Sequence, residues 1–139
     1  MTDRDQLAGF ATAVAGKVAP IAAAGDEGRV NRRLIRALAD EGLLPGLFPG
    51  RAGGTREAGI SAVDLCVVRE SLGRASTLAE NAIAIQTLGA YPIVLAGSDE
   101  QAGRFAGPVA RGAPWPTSHS PTGRRRRRAG IKPAKGSKR

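Results

Sequence analysis

All of this chain's net charge lies beyond Gly112, and that partition limits how much of it can fold. Residues 113–139 carry nine Lys or Arg and no Asp or Glu. The residues before them carry 12 basic side chains (21 − 9 = 12) against 12 acidic ones, so that stretch is neutral. The closing run GRRRRRAGIKPAKGSKR mixes like charges with Gly and Pro. It has too few apolar side chains to offset the entropy of ordering, which predicts a disordered basic tail over 113–139. What remains, residues 1–112, is enough for one modest core.

Within those residues the bulk comes from Ala, Gly and Leu, and aromatics are 4% of the chain, which suits closely packed helices better than a sheet. The apolar spacing agrees. Thr2 can cap a first helix, with Asp3 and Asp5 in its first turn and Leu7, Phe10, Val14 and Val18 at helical intervals, ending near Pro20. RVNRRLIRALADEG places Val30, Leu34, Ile35 and Leu38 on one face and Gly42 where a left-handed cap is expected. LLPGLFPGRAGGTREAG reads as a loop held to the core by Leu44, Leu47 and Phe48. Ser61 caps AVDLCVVRESLGRA, whose apolar positions surround the cylinder as in a central, buried helix. Ser76 or Thr77 starts a helix with Leu78, Ala82, Ile85 and Leu88 in period, which Gly89 breaks. AYPIVLAG reads as a short helix with Pro92 in its first turn. SDEQAGRFAGPVARG closes the set, with Ser98 and Gln101 in capping-box positions. The expected fold is all-α: a compact bundle of six short helices over 1–112.

Several chemistries are disfavoured. Cys66 is the single cysteine, so no intramolecular disulfide and no Cys/His zinc cluster can be built. Among Leu65, Val67 and Val68, with no base beside it, Cys66 reads as buried packing. A cytoplasmic location is expected: no secretory leader pattern follows Met1, and no run approaches the roughly 20 apolar residues of a membrane span. His119, the only histidine, has no recognisable acid or nucleophile partner for a triad. PGRAGG lacks the Gly-Lys-Ser/Thr ending and strand–turn–helix setting of a phosphate loop. Arg124 to Arg128 with the later lysines would attract phosphates through counterion release. A small basic nucleic-acid-binding protein with a helical spacer or dimeriser therefore stays open as an alternative.

Three stretches taken together carry a resemblance: DEGLLPGLFPGRAGG, then SAVDLCVVRESLGRAS, then LGAYPIVLAGSDEQAGRFAGPVARG. In this order and spacing they resemble the N-terminal helical domain of acyl-CoA dehydrogenases. The resemblance implies a homo-oligomeric flavoenzyme of fatty acid metabolism. In that family a carboxylate base removes the α-proton of an acyl-CoA thioester while the β-hydrogen leaves as hydride to FAD. Electron-transfer flavoprotein is the implied electron acceptor. By resemblance, Glu80 and Ala84, one turn apart, border the far end of the acyl pocket. Gln86, Tyr91 and Ile93 lie near it but are assigned to packing. The family's catalytic carboxylate and flavin contacts come from a middle β-domain and a helical bundle beyond the matched stretches. No catalytic, metal-binding or cofactor-binding residue is therefore assigned here. The 139 residues are expected to be inactive alone and to bind no FAD tightly. A helical module that docks on a separate flavoprotein subunit is a further alternative.

The likeness stops near Ala113, where the family runs into a strand with a Phe-Ala-Leu-Thr-acidic pattern and this chain reads APWPTSHSPTGRRRRR. A shifted codon register permits the pattern. Joining the third base of each codon to the next two forces Ala across Trp115 and Pro116. It then permits Phe, Ala, Leu, Thr and Asp across the steps from Thr117 to Thr122. The tail is thus expected to be a reading-frame product rather than an evolved binding arm.

Overall fold

In the computed structural model, residues 3–58 and 61–115 are described; Thr2, His119 and the arginine run lie outside them. Helix α1 (Asp3–Ala23) packs along α3 (Ala62–Ala75), with α2 (Arg32–Asp40) and α4 (Thr77–Ala96) beside them. The chain then runs through α5 (Asp99–Gln101), a π-helical turn (Ala102–Ala106) and α6 (Gly107–Ala110). Among the described residues there is no strand, only an isolated bridge between Pro49 and Arg56. The all-α expectation holds.

Small side chains let the helices approach. α1 buries Ala11, Val14, Ala15, Val18 and Ala22, an alternation of Ala and Val at helical spacing, while Phe10 stays outside. α1 continues past its expected stop at Pro20, and α4 runs unbroken through both Gly89 and Pro92. Each proline lacks an N–H and crowds the carbonyl one turn back. Both prolines lie on the solvent side, as do Gly16 and Leu88 one turn earlier, so water can satisfy the freed carbonyls. The two helices expected over 76–97 are therefore one, and the described bundle has five helical runs, counting α5, the π turn and α6 as one.

The caps mark the other boundaries. Asn31, missed in the sequence, starts α2: its Oδ1 accepts from Leu34 N–H at 3.0 Å. Gly42 ends that helix at φ +80°, as expected. Ser61 accepts from Asp64 N–H, and Ser76, rather than Thr77, accepts from Ala79 N–H, each at 3.2 Å. Ser98 and Gln101 form the expected capping box. The π turn ends against Pro108, whose ring and missing N–H do not fit a regular turn after Arg104.

The loop after α2 is held from inside, with Leu43, Leu44, Leu47 and Phe48 buried. Gly54 lies so close to Phe48 that a Cβ there would overlap its backbone. α3 departs from expectation. It touches α1 and α4, yet buries only Val68, Ser71 and Leu72; Val63 and Cys66 are exposed. Its apolar residues outnumber those its neighbours cover. α1 (21 residues) and α4 (20 residues) also reach membrane-span length at a mean hydropathy of 1.2. The residue-by-residue reading found no such run; each helix buries one side against the bundle, as core helices do.

Candidate functional site

α4 carries the candidate residues, and two sets of side chains share its surface. Inward go Ala79, Ile83, Gln86, Thr87, Ala90 and Val94. Outward go Leu78, Ile85, Leu88 and Leu95, with Leu88 77% exposed. The period Leu78–Ala82–Ile85–Leu88 noted in the sequence is thus an apolar outer stripe, apart from Ala82, which is half-buried. Four large apolar side chains left outward on one helix form a surface that calls for a partner or ligand.

A hollow flanks the stripe on each side. Between α3 and α4 a cleft of about 350 Å³ is lined by Leu65, Cys66 and Arg69 from one helix and Ala84, Leu88 and Tyr91 from the other. Between the α1–α2 turn and α4 a cavity of about 510 Å³ is lined by Asn31, Leu34, Leu78, Ala82, Ile85 and Trp115, among others. Both volumes fall within the size range of small-molecule sites.

Glu80 and Ala84 are on the same side of this geometry. Ala84 contributes only a methyl group to the α3–α4 cleft and leaves space there. Glu80 is held across the helix pair: its Oε1 accepts from Arg69 Nε at 2.6 Å, and its side chain is only 20% exposed. Arg69 itself lines the cleft, so the apolar hollow is bounded at one end by an ion pair. An aliphatic chain lying past Leu88 and Ala84 would meet that pair, where each further methylene must displace polar contacts. Sequence reasoning singled out Glu80 but not Arg69. The two are 11 positions apart on different helices, so no spacing rule joins them.

The other candidates separate. Tyr91 lines the same cleft, half-buried. Gln86 is buried, and its Oε1 accepts from the backbone N–H of Trp115 at 2.7 Å. Ile93 is half-buried and does not line the cleft. Cys66, expected inside, is exposed at the cleft's edge.

Neither a metal nor a dinucleotide finds a cradle among the described residues. No group of three His, Cys, Asp or Glu side chains converges there. Of the PGRAGG glycines, Gly53 and Gly54 are packed against their own domain: a Cβ on Gly53 would come 2.8 Å from an Arg111 guanidinium nitrogen and 3.0 Å from Gly107 Cα, while Gly50 is exposed. Several basic side chains among the described residues are paired with acidic ones. Lys17 pairs with Glu41, Arg36 with Asp40, Arg51 with Asp99, Arg56 with Asp64 and Arg74 with Glu70. The family model described as acyl-CoA dehydrogenase, N-terminal domain, matches residues 3–113.

Proposed function

The chain belongs to the acyl-CoA dehydrogenase family through that N-terminal domain, and on this premise we propose that α4 forms the helical wall of an acyl-thioester site. The family is flavin-dependent and acts on acyl-CoA substrates, commonly as oligomers. In this reading the acyl chain lies against the outer face of α4. Ala84 supplies room for its far part, and the Glu80–Arg69 pair sets its limit. The observation that carries the reading is the outward apolar stripe of α4 beside a cleft bounded by Arg69, which is paired with Glu80. The described residues supply binding and shape, and no step of proton or hydride transfer is assigned to them. FAD and electron-transfer flavoprotein belong to this proposal only through the family's chemistry.

Residues from Ala113 onward are proposed to be an out-of-register reading of the family's next strand, on the codon argument above. Nucleotide sequence read in the shifted register should continue the family's pattern; a register encoding nothing similar removes this part of the proposal. The acyl reading is tested with a series of acyl-pantetheine thioesters, which carry no phosphates for the tail to capture. Ala84→Leu should weaken binding of long acyl chains about 10-fold, equivalent to about 1.4 kcal/mol, with short chains unaffected. Equal affinity across the series in both proteins would rule the assignment out.

A further inference from the structure

Trp115 ends the described chain on α4, and the seat it occupies is built from two α4 residues. The indole lies on Gly89: a Cβ added there would come 2.7 Å from the ring's Cδ2 and 2.8 Å from Cε2, closer than carbon atoms pack. One residue short of a turn earlier, Gln86, 3% exposed, turns its side-chain carbonyl to the Trp115 backbone N–H at 2.7 Å. The path to this seat is fixed as well. Gly112 takes φ +86° and lies against α2, where a Cβ would meet Ala39 Cβ at 2.9 Å. Ala113 N–H then donates to Pro108 carbonyl at 2.9 Å. The chain leaves α6, turns beneath α2 and is pinned to α4.

Glycine inside a 20-residue helix costs about 1 kcal/mol relative to alanine, and a buried Gln must find partners. In this chain the Trp115 indole fills the space over Gly89, and the Trp115 backbone N–H supplies the donor that the buried Gln86 carbonyl needs. We propose that Gln86, Gly89 and Trp115 form a latch that fixes where the chain leaves the helical domain. Gln86 and Gly89 are positioning residues that act through Trp115. The latch does not rest on the acyl reading.

Trp115 is the only tryptophan, so its emission in the full chain reads the latch directly. The wild-type emission should be blue-shifted from that of the urea-unfolded chain and partly shielded from acrylamide. Gln86→Met keeps size and helix propensity but removes the acceptor, and should shift emission to the red and raise quenching. Gly89→Val should do the same by filling the seat. Gln86→Glu retains an oxygen acceptor and should restore wild-type emission. Far-UV circular dichroism should be unchanged throughout; if Gly89→Val loses helix, the contrast between Gln86→Met and Gln86→Glu decides alone. A wild-type emission already matching the unfolded chain overturns the latch, as does a Gln86→Met emission equal to wild type or to Gln86→Glu. Loss of the acyl-length effect at Ala84 with these shifts intact would remove the acyl reading and leave the latch standing.

Discussion

At the residue scale, the features that organise this protein are those where a side chain is missing or turned the unexpected way. Gly112 combines a left-handed backbone with contact to Ala39, so Gly112→Ala should lower unfolding free energy by more than about 1 kcal/mol, as measured by urea denaturation. Cys66 is the opposite case, a thiol among apolar neighbours that faces solvent. A charged thiol reagent should modify it stoichiometrically in the folded chain, whereas protection until denaturant is added would return it to the core. Its sequence setting suggested burial because Leu65, Val67 and Val68 surround it. Burial on a helix follows which neighbours are covered in space, and only Val68 of that group is buried. Glu80 shows the same limit. Its position was legible, but its partner Arg69 and its shielding depend on how α3 lies against α4.

At the element scale, signals made by local hydrogen bonding were read correctly, and signals settled by tertiary contact were not. Ser61, Ser98, Gln101 and Gly42 cap or end their helices as expected, because each bond closes within a few residues. Ser98→Ala should therefore cost about 1 kcal/mol, seen as a lower thermal midpoint. Gly89 and Pro92 misled because their local preference is to stop a helix. Here the Trp115 indole occupies the space over Gly89, and Leu88 and Pro92 lie on the exposed side of the helix, where water can reach the freed carbonyl. Because α4 is continuous, Pro92→Ala adds a hydrogen bond and should stabilise the fold, by at most about 3 kcal/mol. Destabilisation would mean that Pro92 begins a separate helix.

At the scale of the whole molecule, the small, alanine-rich core follows from composition, and its all-α class is legible in the sequence alone. The placement of the proposed acyl surface was only half legible. Its residues were named on α4, but the apolar period there marks the outward stripe, and periodicity alone gives a helix no inside or outside. That stripe should make the isolated chain self-associate. Leu88→Gln with Leu95→Gln should lower the sedimentation-derived mass without lowering the thermal midpoint, because neither side chain belongs to the core. The acyl wall on α4 is tested most directly by mapping amide chemical shifts in the full, isotope-labelled chain while octanoyl-pantetheine is added. Shifts gathered at Glu80, Ala84, Leu88 and Tyr91 are expected; saturable shifts confined to any other helix, or none at all, would contradict it.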